Sequence, residues 1–105
     1  MIDRKPALIV QCSGAADVAQ VVRFARDHEL LVAIRGGGHN IAGNATCDGG
    51  LLIDLSGMKS VRVDAAARRV WVGPGATLAD LDHETQAFGM AVPTGINSTT
   101  GIAGL

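Results

Sequence analysis

The chain has 105 residues, 48% hydrophobic and 18% charged, with a formal net charge of -1. That composition specifies one globular domain with a modest core and excludes an intrinsically disordered chain. One Trp, two Phe, no Tyr and no cluster of Lys or Arg leave nothing for a nucleic-acid surface, and no apolar run reaches the length of a membrane span.

In chain order, Ala7 to Gln11 is a short apolar run after Pro6 and reads as a strand. Ser13 is the expected N-cap of a helix whose apolar positions Val18, Val21, Val22 and Ala25 follow helical spacing, with Arg23, Arg26 and Asp27 opposite. That helix ends near His28, whose place at the C-terminus suits a dipole contact. Leu31 to Ile34 is a second buried strand that runs into Arg35-Gly-Gly-Gly-His-Asn40. Gly49 and Gly50 mark a turn before a third strand, Leu51 to Leu55. Val61 and Val63, then Arg69 to Val72, suggest a hairpin turning over 64–68. Thr77 and Asp80 form a capping box at the head of a second helix, which runs to about Ala87 with Gly89 at its C′ position. Met90 to Val92 reads as a last strand. Strands outnumber helices and do not alternate strictly with them, so the expected class is α+β rather than a doubly wound parallel sheet.

Glycine supplies 14 residues, clustered at 36–38, 49–50, 73–75 and 95–104. Such clusters mark backbone that turns tightly or approaches something closely. Gly73-Pro-Gly-Ala-Thr-Leu78 follows a strand and opens a helix, as a dinucleotide fingerprint does, but Leu78 stands where that motif needs a small residue and Pro74 removes a donor. A turn into a capped helix is the better reading. In Arg35–Asn40 successive free amides suit phosphate oxygens. Arg35 either adds charge to that site or pairs with an acid and serves folding alone. A lone loop histidine such as His39 is by itself more often solvated than chemical. The stretch 93–104 joins hydroxyl side chains to Gly95, Gly101 and Gly104, again suited to phosphate or ribose. His83, among Asp80, Asp82 and Glu84, reads as a solvated face, Cys12 as strand core and Cys47 as a small filler. The two cysteines have no metal-ligand spacing, so no metal is expected, and a reduced, cytoplasmic setting is the expectation.

Four motifs in order, Val32 to Asn40, Ile53-Asp-Leu-Ser56, Val72-Gly-Pro-Gly-Ala76, and Val92-Pro-Thr-Gly95 running into Ser98-Thr-Thr-Gly-Ile-Ala-Gly104, resemble FAD-linked oxidases of the berberine-bridge-enzyme type, within the vanillyl-alcohol-oxidase superfamily. The resemblance implies an FAD-binding domain of two small α/β subdomains, not a Rossmann fold, with the cofactor between them. It implies that Arg35, Gly36, Gly37, Gly38 and Asn40 wrap the pyrophosphate and that His39 bonds covalently to the 8α-methyl group of the flavin. Thr94, Gly95, Thr100, Gly101 and Gly104 fall in a second FAD-contacting stretch, and Ser56 is a weaker candidate. Some members carry a second link from a cysteine where this chain has Asn97, so a single bond through His39 is expected.

The implied chemistry is two-electron oxidation of a small organic substrate by hydride transfer to flavin, with O2 as acceptor. The base in this group is usually a Tyr from the substrate half. This chain has no Tyr. No catalytic residue is therefore expected here, and the expectation is a partial FAD-binding domain over 1–105 cut from a longer enzyme and inactive alone. The competing readings are a non-covalent FAD reductase of the same fold and a phosphate- or nucleotide-binding module without redox activity.

Overall fold

A computed structural model describes residues 2–104. The apolar run after Pro6 forms β1 (Leu8–Gln11). Helix α1 (Ala15–Asp27) follows, then β2 (Val32–Arg35) and, after a long loop, β3 (Leu51–Asp54). These strands make a parallel sheet in the order β1-β3-β2, in register from Leu8–Leu51–Val32 to Gln11–Asp54–Arg35. The central strand β3 is buried throughout, its apolar Leu51–Ile53 covered on both faces and the charged Asp54 at its end. On one face Leu51 and Ile53 pack with Cys12, Ala25, Val10, Val18 and Val21 under α1. On the other, Leu52 and Ala33 pack against Cys47 from the β2–β3 loop. Both cysteines are free thiols used as core filler. Burial, followed by the nearby Asp17 and Asp54 charges, pushes the Cys12 thiol upward.

The second half is a hairpin, β4 (Val61–Asp64) with β5 (Arg69–Val72), which packs β4 against helix α2 (Leu78–Gln86). The Asp64 carboxylate accepts the Ala67 N–H at 3.0 Å and fixes the expected turn. Leu78, Leu81 and Thr85 are the buried stripe of α2. A 3-10 turn, Ile102–Gly104, comes after the second glycine-rich stretch. The whole is a slab of 47 × 32 × 15 Å whose radius of gyration, 15.4 Å, exceeds the about 13 Å expected of a round domain this size. A slab this thin leaves Leu31, Ile34, Ile41 and Ile96 exposed.

The mixture of helices and strands is as expected, but three details are corrected. The N-cap of α1 is Gly14, not Ser13, and no side chain caps it; the backbone N–H of Ser13 donates to the Asp17 carboxylate at 2.8 Å. Val22 is 49% exposed, on the flank of the helix rather than in the core. Met90–Val92 is not a strand: it has no neighbouring strand among the described residues, and the Met90 N–H is spent on the Thr85 carbonyl.

That last bond belongs to a Schellman closure of α2. Gly89, with φ +65°, donates to Gln86 while Met90 donates to Thr85, as a glycine at C′ requires. α1 closes the same way, with Leu30 donating to Ala25 and Glu29 to Arg26. Here, however, the left-handed position is held by Glu29 at φ +53°. A side chain in that region is disfavoured by about 1 kcal/mol, and the carboxylate also faces the negative end of the helix dipole. Glu29→Gly should therefore raise the unfolding free energy by about 1 kcal/mol; a denaturant titration with unchanged or lower stability would show that the closure is not strained.

Candidate functional site

The strand β2 ends at Arg35, and the chain leaves the sheet as Gly36-Gly-Gly-His-Asn40. Arg35 does not reach into the space above. Its guanidinium lies on Asp54, Nη2 to Oδ2 at 2.7 Å, across the β2–β3 register. Asp54 is 2% exposed and also accepts the Ser56 N–H at 3.1 Å. The Arg35 hydrogen bond, aided by that of Ser56 and opposed by burial, holds the Asp54 carboxyl well below the usual carboxylate range. The pair fixes the end of β2 from which the glycine loop departs. Ser56 contributes to the same anchor.

The loop then meets the second glycine-rich stretch backbone to backbone. A Cβ on Gly37 would fall 2.6 Å from the Gly101 Cα, and one on Gly101 the same distance from the Gly37 Cα. A Cβ on Gly36 would fall 2.5 Å from the Pro74 carbonyl oxygen. Only hydrogen fits at these approaches. Gly38 turns at φ +76°, and Asn40 pins the next residues, its carbonyl accepting from Gly43 at 3.1 Å and its Oδ1 from Asn44 at 2.9 Å.

Between the two stretches lies a cleft of about 580 Å³. Gly36 to Ala42 form one wall, Thr100, Gly101, Ala103 and Gly104 the other, with Ile34, Leu55 and Pro74 adding apolar surface. Among the described residues, no protein acceptor takes the backbone N–H of Gly36, Gly37, Gly38, His39, Asn40 or Ile41. No acidic side chain lines the cleft. A row of free donors without competing carboxylates is a surface for an anionic ligand.

His39 is exposed on the cleft, with Nε2 3.3 Å from the Thr99 carbonyl oxygen. Thr94 and Gly95 are not among the lining residues; Gly95 lies against Leu78, where a Cβ would sit 3.3 Å from Cδ1. The other histidines stand apart from the cleft. His28 caps α1, with Nδ1 2.9 Å from the Phe24 carbonyl and its ring stacked on Phe24, and His83 is exposed on α2.

The start of α2 is closed by its own chain. Leu78 donates to Thr100 at 2.9 Å, Ala79 to Ser98 at 3.0 Å and Asp80 to the Thr77 hydroxyl at 3.3 Å. The Asp80 carboxylate accepts the Thr77 N–H at 2.8 Å, which completes the capping box. Bonds from Thr77, first its backbone and then its side chain, hold the Asp80 carboxyl low. Sequence reading missed Asp54 as the partner of Arg35 and the wall residues Leu55 and Pro74. Asp54 and Pro74 stand inside the motifs Ile53–Ser56 and Val72–Ala76, so the signal was present but not its geometry.

This fold has counterparts among solved structures. The chain belongs to the FAD binding domain family, which matches residues 6–105. It is 43% identical over 102 residues to (R)-6-hydroxynicotine oxidase of Paenarthrobacter nicotinovorans, taking in 97% of this chain and 22% of that protein. It is 34% identical over 104 residues to berberine bridge enzyme-like 18 of Arabidopsis thaliana, covering 95% of this chain and 20% of that one. The crystal structure of 6-hydroxy-D-nicotine oxidase from Arthrobacter nicotinovorans matches with a TM-score of 0.88 at 43% identity, over 93% of this chain and 22% of that one. The chain thus spans about a fifth of the length of the relatives it matches. The resemblance to FAD-linked oxidases of the berberine-bridge-enzyme type holds.

Two outcomes test the scaffold of the cleft. Gly101→Ala should lower stability by about 1–3 kcal/mol, since backbone must move to admit the methyl group, while Gly57→Ala, with nothing within 4 Å, should not; equal thermal shifts would refute the close approach. Asp54→Asn should destabilise the fold at neutral pH by about 2 kcal/mol, less than for a fully buried pair because Arg35 is half open. The folded-state value of Asp54 is depressed, so its contribution is full above the unfolded carboxylate value of about 3.9 and disappears as pH falls below it. The stability gap between wild type and variant should therefore narrow in acid; a gap independent of pH would contradict the ion pair.

Proposed function

We propose that this chain is the FAD-holding part of a longer flavin-dependent oxidase, organised as two small α/β subdomains with the cofactor in the cleft between the glycine stretches. The observation that carries this reading is the run Gly36 to Ile41, whose amides have no protein acceptor among the described residues, lining an acid-free cleft. The pyrophosphate of FAD carries the charge such a row accepts. Gly36, Gly37, Gly38 and Asn40 would hold it from one side and Thr100, Gly101 and Gly104 from the other. Arg35 and Ser56 act through Asp54, and Thr94 and Gly95 carry the second stretch into place.

The hydrogen bonds around Gly73–Leu78 argue against a Rossmann reading. The helix N-terminus that would bind a pyrophosphate there already gives its first donors to Thr100, Ser98 and Thr77. Family membership argues against a phosphate-binding module without redox role.

His39 is the point of covalent attachment to the 8α-methyl group of the flavin. It is exposed on the cleft, directly after the amide row, and Asn97 leaves no second thiol in the opposite stretch. Bound FAD supplies two-electron oxidation of a small organic substrate, with O2 as the final acceptor. The protein's part is to fix and orient that group and, through the apolar Ile34 and Leu55, to limit water beside it. Substrate contacts and the base lie in the remainder of the enzyme, for which we infer a cytoplasmic setting.

The test is to denature the whole enzyme in acid and read flavin fluorescence in the washed precipitate. Wild type should retain flavin, and His39→Ala should release all of it. Flavin that washes out of the wild type would sink the covalent role, and an enzyme that never carries flavin would sink the cofactor assignment itself.

A further inference from the structure

The ring of His39 is tied to the opposite wall. Its Nε2 lies 3.3 Å from the Thr99 carbonyl oxygen, 60 residues on. A carbonyl oxygen only accepts, so this contact is a hydrogen bond when Nε2 carries the proton. The neutral ring then has its lone pair on Nδ1, for which no hydrogen bond exists among the described residues. Thr99 is itself held. Its N–H donates to the Asn97 Oδ1 at 3.3 Å and its hydroxyl to the same atom at 3.0 Å, while the Asn97 carbonyl accepts from the Thr100 N–H at 3.0 Å. The Asn97 side-chain oxygen thus holds Thr99 by two bonds, its main-chain carbonyl closes the turn at Thr100, and together they set where the Thr99 carbonyl stands.

We propose that Asn97 is a positioning residue for His39: through Thr99 it selects the Nε2–H tautomer and leaves Nδ1 as the nucleophile for flavin attachment. This rests on the covalent reading above. In the attachment, the Nδ1 lone pair forms a bond to the 8α-carbon, and one C–H of that carbon and the Nε2–H are broken. Two electrons and two protons leave the pair of reactants, and O2 takes them as hydrogen peroxide. The Thr99 carbonyl, by accepting from Nε2–H, raises electron density on the ring and makes Nδ1 the better donor.

The experiment uses ring-nitrogen NMR of the apoprotein with its histidines neutral, His39→Gln serving to assign the signals, alongside the rate at which added FAD becomes resistant to acid denaturation. Wild type should show the Nε2–H form of His39. Asn97→Ala should show both tautomers and attach flavin about tenfold more slowly, and Asn97→Asp, which keeps the acceptor oxygen, should return to within about twofold of wild type. An unchanged tautomer and rate in Asn97→Ala, or Nε2 found unprotonated in wild type, would overturn the proposal. The tautomer signals need no flavin. Wild type holding Nε2–H, with the mixture appearing in Asn97→Ala, therefore supports the positioning even where no flavin attaches, and that second result overturns the covalent reading alone.

Discussion

The cleft depends on one steric constraint: Gly37 and Gly101 bring two loops together with no side chain between them. Everything that gives the site its chemistry hangs on that approach. It lets residues of both loops line a common space, and it places Thr99 within reach of His39. A methyl group at either position would separate the walls before it disturbed either sheet, because each glycine stands outside the strands.

Two anchors hold the loops at their roots, and they differ in kind. The first loop is fixed by charge. Arg35 and Asp54 are register partners on adjacent parallel strands, so their side chains share a face, and burial of the acid makes the pair obligatory. The second loop is fixed by neutral backbone bonds, because residues 98–102 supply the carbonyls that α2 needs at its first turn and take the Ala76 carbonyl in return. Helix α2 therefore serves the site as a support rather than as an anion-binding terminus. The orphan donors that bind phosphate in a dinucleotide fold are consumed here in holding the loop.

Local features of this arrangement were legible in the sequence and long-range ones were not. The capping box at Thr77, the hairpin turn at 64–68 and the left-handed Gly89 are each fixed by residues within a few positions of one another, and the structure has all three. The class of the second glycine stretch as a partner of Arg35–Asn40 came from motif order, not from physics. The contact between Gly37 and Gly101 joins loops far apart in the chain and leaves no trace in local pattern. The Arg35–Asp54 pair spans 19 positions, and either of two roles fitted Arg35 until its partner was placed. Where local reasoning failed, a competing contact took the group. Met90 gave its donor to the closure of α2 instead of to a sheet.

The thinness of the slab bears on how such a site works. A shortest extent of 15 Å admits one sheet and one layer of helix, so the cleft has walls and a floor but its open side faces outward, beside the exposed Ile41. A core of this depth cannot also enclose a ligand. It does supply rigidity at the loop roots: a charge pair at one and a capped helix at the other, with an amide row strung between them. In a cleft built that way the polar groups offered to a ligand are backbone amides placed by glycine, and side chains are left free for positioning. His39, Thr99 and Asn97 fit that division: His39 meets Thr99 through one polar contact, Thr99 meets Asn97 through two, and all three are exposed, outside the core.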